Sequence, residues 1–385
     1  MPTENRPRPS NWCTCSSHFA DSSLVHHSPV SGLSPSSPTV ESPTNATSQW
    51  CPAPSSETIK PDGLQALRKA LQQRNVSAKA VEIILKSWSA GTQKQYTPYI
   101  TQWIDFCKRE SNLYDPPLTA VLDFLVTLHD KGLSYTTMNT TRSAISAFII
   151  PKNDTAIGSH PLISRFLKGV LEGCPPTPRY QSTWDVKPVL TYLSSLHPVE
   201  KLELKTLALK LTMLIALVSA QRGQSLHILD TAYMKDSPDV FEFSLSEHIK
   251  QSRPGYKTPL VILKAYPADA SLCVVTCLQE YLKRTKPLRG SETKLFISFV
   301  KPYKRISRET ISRWIRAVME TAGVDTQVFK PHSTRAAATS QAKAAYVPVH
   351  DILQISGWSS CRCFDLFYNK PVESSNFASA ILYSD

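Results

Sequence analysis

The sequence lacks the features that mark membrane and secreted proteins. No stretch approaches the roughly 18 apolar residues that a membrane-spanning helix needs. The amino-terminal segment has no apolar core of the kind found in secretory signals. A dense run of lysine and arginine, which would mark a nuclear import signal, is also missing. These absences predict a soluble protein that is not secreted.

The cysteines do not have the spacing of a zinc site. There are nine of them, an odd number, and no two form a CxxC unit. We therefore expect reduced thiols in an intracellular protein. Cys361 and Cys363 would bind a metal only if histidines joined them in space.

Positive charge is in excess in the chain. Lysine and arginine number 43 against 31 acidic residues, which gives a formal net charge of +12. Residues 1–60 hold three basic and four acidic side chains, so all of the excess lies beyond residue 60. A basic folded region favours polyanion partners, because neutralising phosphates releases counterions and speeds encounter. An ordinary basic soluble protein remains the alternative at this point.

Composition and apolar spacing divide the chain into four parts. Residues 1–60 are rich in Ser, Pro and Thr and cannot bury enough apolar area to fold, so we predict a disordered tail. Residues 61–174 show helical apolar spacing throughout and predict a compact helical domain. Residues 175–185 begin with closely spaced prolines and predict a linker. Residues 186–385 form the second predicted domain.

The second domain reads as mostly helical with a small sheet. Residues 240–250 and 258–266 are β-rich and flank a Pro-Gly turn, so we predict an antiparallel hairpin. Helical patterns are predicted at 202–218, 273–283, 308–322, 333–345, 349–356 and 377–382.

Six positions of the second domain stand out by residue type and order. Each alone has an ordinary structural explanation, such as a helix cap, a solvated helix start or a core aromatic. Their joint order and spacing point to chemistry instead. They are Arg222, Lys250, His332, Arg335, Trp358 and Tyr368.

These residues resemble the signature of the tyrosine recombinases, or phage-type integrases. That signature is Arg, Lys, His-x-x-Arg, His or Trp, and then a nucleophilic Tyr. The resemblance covers roughly residues 64–385. In that family the first Arg follows a buried helix and the Lys lies in a β-hairpin, as Arg222 and Lys250 do here, 28 residues apart. The surrounding sequence segments, such as "HPLISRFLKG" and "GWSS", are most similar to those of recombinases from DIRS-type and related eukaryotic mobile elements.

The resemblance implies a mainly α fold. Its two parts are a helical core-binding (SAM-like) domain and a mostly helical catalytic domain with a small antiparallel sheet. It also implies site-specific DNA recombination through a 3′-phosphotyrosyl intermediate, without a cofactor or metal.

Side-chain chemistry explains why these residue types belong together. Cleaving a phosphodiester without a metal requires a nucleophile, charge on the non-bridging oxygens and a proton for the leaving oxygen. Arg222 and Arg335 present charged planar forks that suit phosphate oxygens. His332 is a plausible proton handler for the Tyr368 hydroxyl. Trp358 donates only, through its indole N–H, and can bind a phosphate oxygen but shuttle no proton.

The lysine assignment and the DNA contacts rest on fewer observations. The resemblance makes Lys250 the candidate general acid, but Lys257 and Lys264 lie close by in the sequence and stay open as alternatives. In the first domain, three basic residues fall on predicted helices and are candidates for phosphate contacts, although a solvated helix face is the commoner explanation for such residues. They are Lys94, Arg142 and Lys168.

The resemblance implies duplex DNA as the partner and a homotetramer on that DNA, because sequence-specific exchange between two duplexes needs four active sites. A nuclear location follows from the DNA substrate and the eukaryotic resemblance. Two rival functions stay open: a host-retained DNA-binding protein that no longer cuts, and a type IB topoisomerase.

Overall fold

A computed structural model of the 385-residue chain describes residues 63–110, 113–149, 156–176, 180–250, 252, 255, 260–358 and 360–371, with the side chains at 109 and 110 excepted. The predicted disordered tail and the predicted helix at 377–382 lie outside these residues. The chain divides into two compact units at the junction of residues 177 and 178.

The first unit consists of six helices in its described part. They are α1 (Gly63–Gln73), α2 (Ala78–Leu85), α3 (Ala90–Glu110), α4 (Leu118–Asp130), α5 (Tyr135–Phe148) and α6 (Pro161–Gly173). Ser77 and Ser134 cap α2 and α5 by accepting a backbone N–H with their side chains. Trp103, Leu125 and Phe148 are fully buried in the shared core. The predicted helical spacing of this region is confirmed.

The second unit packs eight helices and one small sheet within the residues that the structure describes. The helices are α7 (Lys187–Ser195), α8 (Leu204–Ser219), α9 (Gly223–His227), α10 (Val274–Thr285), α11 (Arg308–Thr321), α12 (Thr334–Ala344), α13 (Val349–Ser356) and α14 (Cys361–Phe367). The strands are β1 (Met234–Ser237), β2 (Val240–Phe243) and β3 (Val261–Lys264), antiparallel in the order β1-β2-β3. A mostly helical fold with a small antiparallel sheet is thus confirmed.

Helix α8 is the centre of the second core. Leu207, Leu211 and Ile215 are fully buried, and burial extends to most of the helix. The sheet covers this core with alternate side chains, since Phe241 pairs with Leu263 and both point inward. The end of α8 is therefore held rigidly, and the predicted site begins there.

The predicted hairpin is right in its pairing and wrong in its length. β2 ends at Phe243 and β3 begins at Val261, so residues 244–250 leave the sheet although their composition is β-rich. The inward alternation stops after Phe243, because the next buried side chain is Ile249, outside any strand. Strand β1 and helices α7, α9 and α14 were not predicted.

The predicted linker, residues 175–185, is partly integrated into the second unit. Trp184 is buried in its core and donates from Nε1 to Ser333 Oγ at 2.9 Å. Lys330 N donates to the Tyr180 hydroxyl at 3.2 Å. The domain boundaries themselves stay a prediction. In the described part of the chain, no helix combines the length and apolarity needed to cross a bilayer.

Candidate active site

Arg335 lies at the centre of the candidate site, on α12. Its side chain is only 2% exposed. Nε donates to the carbonyl of Ala220 at 2.6 Å, and Nη2 donates to the carbonyl of Ser356 at 2.9 Å. Nη1 is buried as well and has no hydrogen-bond partner within the residues that the structure describes. Two nitrogens of the guanidinium are fixed by the protein, and the hydrogen-bonding capacity of the third is unused among the described residues.

The corner after α8 brings Arg222 to the site. Ala220 has φ +46°, in the left-handed region that non-glycine residues seldom adopt, and it ends the helix. Gln221 is buried and donates from Nε2 to the carbonyl of Ile355 at 2.7 Å. Arg222 then precedes α9 as its N-cap residue, half-buried. The side chains of Gln221 and Arg335 thus both tie this corner to the end of α13.

Tyr368 directly follows α14, and its hydroxyl meets His332. Tyr368 Oη and His332 Nε2 lie 3.1 Å apart, within hydrogen-bond distance. When Nε2 carries no proton, the tyrosine hydroxyl donates to it. The imidazole of His332 is exposed, and Tyr368 is half-buried, so both groups are accessible to a ligand.

Ser340 fixes the backbone at Tyr368. This buried serine lies on α12, as Arg335 does. Its hydroxyl donates to the carbonyl of Tyr368 at 2.8 Å and accepts from the backbone N–H of Lys370 at 3.0 Å. The helix that carries Arg335 therefore also positions the tyrosine.

Trp358 packs against both Arg335 and Tyr368, which also contact each other. Gly357 ends α13 with φ +69°, a conformation that favours glycine, and this turn leads into Trp358. The rings of Trp358 and Tyr368 are 4.3 Å apart, and the Arg335 guanidinium carbon lies 4.6 Å from the Trp358 ring centroid. Trp358 Nε1 is buried and, among the described residues, has no acceptor.

The electrostatics of the site favour an anion. Burial, and after it the positive charge of Arg222, lower the pKa of Arg335 to about 9, although Tyr368 and Cys363 act in the opposite direction. The guanidinium is still charged at neutral pH. None of the groups that shift this pKa is a carboxylate. A buried cation beside a second cation costs free energy unless an anion joins it.

Lys250 is exposed and lies in the connection between β2 and β3. Its backbone N–H donates to Gln224 Oε1 at 3.2 Å, which links it to α9. Of the alternatives, Lys264 is an exposed residue at the end of β3, paired with Val240, and Lys257 lies outside the described residues.

The candidate DNA contacts of the first unit differ from one another. Lys94 on α3 and Lys168 on α6 are exposed. Arg142 on α5 is half-buried, and its Nη1 lies 3.4 Å from the carbonyl of Gly158, so it has an intramolecular role.

The thiol of Cys361, one of the cysteine pair, has a partner within α14. Cys361 Sγ donates to Asp365 Oδ2 at 3.0 Å. Across the described ranges, no three His, Cys, Asp or Glu side chains are grouped so that they could hold a metal ion.

The structure thus brings His332, Arg335, Trp358 and Tyr368 into contact, with Arg222 close enough to shift the pKa of Arg335. Sequence reasoning missed the residues that position this group. Gln221 adjoins Arg222, but nothing in the sequence indicates that it is buried. Ser340 and Gln224 look like ordinary helix-surface residues until their partners, more than 20 positions away, are known.

Comparison with known proteins gives a result at the level of structure. No protein-family model matches the sequence, and no curated protein matches it. Among solved structures, the XerH site-specific recombinase in a pre-cleavage complex with difH DNA is 13% identical, with 86% of this chain and 98% of that chain covered and a TM-score of 0.52. Its post-cleavage complex is 13% identical over 80% and 93%, with a TM-score of 0.51.

A transposon integrase gives a similar result. The Tn1549 integrase in complex with transposon right-end DNA is 16% identical, with 83% of this chain and 98% of that chain covered and a TM-score of 0.50. At such low identity the likeness concerns the fold. The chain therefore has the fold seen in site-specific recombinases and integrases.

Proposed function

We propose that this protein cuts and rejoins DNA through a transient covalent bond to Tyr368. The observation that carries the proposal is the contact of the Tyr368 hydroxyl with His332, beside a buried arginine that has no carboxylate partner among the described residues. A nucleophile, a proton acceptor and a cation within one small site are what phosphodiester cleavage without a metal requires.

Arg335 supports a phosphate as the ligand. Its Nη1 and the Trp358 Nε1 are both buried donors without a partner among the described residues, and they lie on neighbouring side chains. Buried donors are almost always paired in folded proteins. One tetrahedral phosphate offers several acceptor oxygens and a negative charge, so it satisfies both donors and offsets the buried charge.

The proposed reaction proceeds in two steps, cleavage of a strand and its rejoining. The Tyr368 oxygen attacks phosphorus while His332 Nε2 takes the phenolic proton. The bond from phosphorus to the 5′ oxygen breaks, and that oxygen takes a proton from Lys250. The strand is now held as a 3′-phosphotyrosyl ester. A 5′ hydroxyl, returning its proton to the lysine, then attacks the ester. The bond from phosphorus to the Tyr368 oxygen breaks, and that oxygen takes its proton back from His332.

Arg222 and Arg335 stabilise the charge that develops on the non-bridging oxygens. Their charge is already in place before the reaction, since Gln221, Ala220 and Ser356 fix the surrounding backbone and guanidinium. The arginines supply the electrostatic stabilisation, so the proposed reaction needs no cofactor.

The proposal extends to partners and setting. The XerH and Tn1549 proteins are complexed with DNA in the structures that share this fold. We propose duplex DNA as the substrate, a homotetramer on two duplexes as the working assembly, and the nucleus as the location. The excess of positive charge beyond residue 60 suits such a substrate. The DIRS-type mobile element stays the predicted source of the activity.

One experiment separates this proposal from its rivals. The protein is incubated with a nicked suicide duplex, from which the cleaved strand diffuses away, and in parallel with a supercoiled plasmid. Covalent adducts together with paired duplexes support recombination. Relaxation of the plasmid without pairing of duplexes would identify the protein as a type IB topoisomerase. DNA whose gel mobility is shifted but which stays uncut would identify it as a DNA-binding protein.

A further inference from the structure

We propose that Gln224, together with the ion cluster of Glu247 and Lys294, positions Lys250 for protonation of the leaving 5′ oxygen. This inference rests on the proposed function and assigns a role to residues outside the contacting group of His332, Arg335, Trp358 and Tyr368. The segment 247–250 lies outside the sheet, beyond the end of β2. The side chains of Gln224 on α9 and of Lys294 hold it in place.

The side-chain amide of Gln224 binds the carboxyl-terminal end of the segment through both its oxygen and its nitrogen. Oε1 accepts from the backbone N–H of Lys250 at 3.2 Å, and Nε2 donates to the carbonyl of His248 at 3.2 Å. One side chain thus supplies the donor and acceptor that a neighbouring strand would otherwise supply. Only an amide side chain of this length offers both functions, so neither Glu nor Met can replace it.

An ion cluster that includes Glu247 holds the amino-terminal end of the segment. Lys294 is 9% exposed and forms an ion pair with Glu247 and another, at 3.3 Å, with Asp230, which is 5% exposed. Burial alone lowers the pKa of Lys294, but the hydrogen bonds and charges of Glu247 and Asp230 outweigh it, and the pKa is raised. Lys294 is therefore a fixed cation. It joins the segment to Asp230, which follows α9.

Between these two attachments, Ile249 is buried and closes a turn with Ser252. The Ile249 side chain is 6% exposed. Its backbone N–H donates to Ser252 Oγ at 3.0 Å, and its carbonyl accepts from the backbone N–H of Ser252 at 2.9 Å. The backbone up to Lys250 is thus attached to the body of the unit, and Ser252 after it is tied back to Ile249.

The position of Gln224 links Lys250 to the candidate active site. It is the second residue of α9, and Arg222 is the N-cap residue of the same helix. A lysine stem has four flexible bonds, so its ammonium reaches a defined atom only if its backbone is fixed. Gln224 therefore couples the backbone of the proposed general acid to the helix that follows an arginine of the site.

The test uses two DNA substrates that differ in one atom. The first is the nicked suicide duplex with an oxygen at the 5′ bridging position. The second carries sulfur there, and a thiolate leaves without a proton because thiols are far more acidic than alcohols. Single-turnover cleavage is measured at saturating protein for the wild type, Gln224→Met, Glu247→Gln and Lys250→Met. Gln279→Met, on the exposed side of α10, is the matched control.

On the oxygen substrate we expect Gln224→Met and Glu247→Gln each to slow cleavage by about tenfold. Lys250→Met should slow it by about 100-fold or more. On the sulfur substrate all three variants should cleave within about threefold of the wild type, because the step that needs a proton is bypassed. Gln279→Met should match the wild type on both substrates.

The outcomes separate this inference from the proposed function. If the wild type forms no adduct with either substrate, the proposed function fails and the inference with it. If the wild type cleaves and Gln224→Met and Glu247→Gln cleave the oxygen substrate at the wild-type rate, only the inference is overturned. It is also overturned if sulfur restores Lys250→Met but leaves the other two variants slow, since a general structural defect is not relieved by a better leaving group. Melting temperatures identify a variant that fails to fold. If either Gln224→Met or Glu247→Gln does so, the cleavage rate of the other one tests the inference.

Discussion

Tyr368 and His332 are joined by a 3.1 Å contact between the phenolic oxygen and Nε2, across 36 positions of sequence. Three structural features make this contact possible. Ser340 holds the backbone of Tyr368, the Trp358 ring packs on the phenol, and the helical turn before α12 presents His332. A hydroxyl that would otherwise be an ordinary surface phenol thus has a base within reach.

Arg335→Ala should slow DNA cleavage by about 100- to 1000-fold, because it removes a preorganised donor from the transition state. DNA affinity should fall much less, since many other phosphate contacts remain. Arg335→Lys should restore only part of the rate, because an ammonium supplies charge without the two-pronged geometry. Single-turnover cleavage and a binding titration at fixed salt measure the two effects.

The control for this prediction is Arg313→Ala. Arg313 is exposed on α11 and bonds only its own helix among the contacts described, through Thr310. It should cleave at the wild-type rate at saturating protein. A rate within threefold of wild type for Arg335→Ala would remove this arginine from the active site.

Sulfate should stabilise the wild type more than Arg335→Gln. The buried cation has no carboxylate among the groups that shift its pKa, so a bound tetrahedral anion relieves its burial cost. At about ten times the dissociation constant, binding adds about 1.4 kcal/mol, which corresponds to a rise of roughly 3–6 °C in melting temperature. The comparison uses sodium chloride at matched ionic strength, so that general salt effects cancel between the two proteins.

The sulfate effect should also depend on pH with a defined sign. Burial lowers the pKa of Arg335 to about 9, and only the protonated guanidinium attracts sulfate. The advantage of the wild type over Arg335→Gln should therefore be full at neutral pH and shrink as the pH rises through about 9. An equal response of both proteins at pH 7 would show that the anion binds elsewhere.

Much of the fold could be predicted from sequence because its helices are amphipathic and regularly spaced. The six helices of the first unit follow the apolar period, and α8 is rich in apolar residues along its whole length. The residues His332, Arg335, Trp358 and Tyr368 could be predicted from their order, and the structure brings them into contact. Their roles in catalysis stay a prediction.

What could not be predicted depends on contacts between distant residues. Residues 244–250 have β-rich composition, but the side chains of Gln224 and Lys294 bind residues 247–250 where a strand partner was expected. The left-handed turn at Ala220 gives no sequence signal, since glycine is the residue that would normally mark it. Ser340 resembles any polar residue on a helix until Tyr368 is placed beside it.

Ser340→Ala should slow cleavage without abolishing adducts. The hydroxyl makes two hydrogen bonds to the backbone around Tyr368, so its loss loosens the nucleophile and leaves the chemistry intact. We expect about a tenfold lower rate, with about 1–3 kcal/mol lost from the free energy of unfolding because the partners become unpaired. Ser164→Ala, an exposed serine on α6, is the control and should alter neither quantity. An unchanged cleavage rate in Ser340→Ala would argue against a positioning role.

Deleting residues 1–60 should leave the body of the protein intact. Their Ser- and Pro-rich composition cannot support a core, so the melting temperature should change by no more than about 2 °C. Calorimetry of the full chain and of the truncated protein tests this. A larger decrease would mean that the tail packs on the folded part.

The most direct test of the central proposal is the chemical identity of the residue that becomes bonded to DNA. The wild type, Tyr368→Phe and the control Tyr233→Phe, a tyrosine that is 53% exposed in the same unit, are each incubated with the suicide duplex. Adducts are then digested and mapped by mass spectrometry. The account predicts a 3′-phosphotyrosyl peptide containing Tyr368 in the wild type and the control, and no adduct in Tyr368→Phe, which should still bind DNA with nearly unchanged affinity. Adducts that persist in Tyr368→Phe, or that map to another tyrosine such as Tyr383, would contradict it.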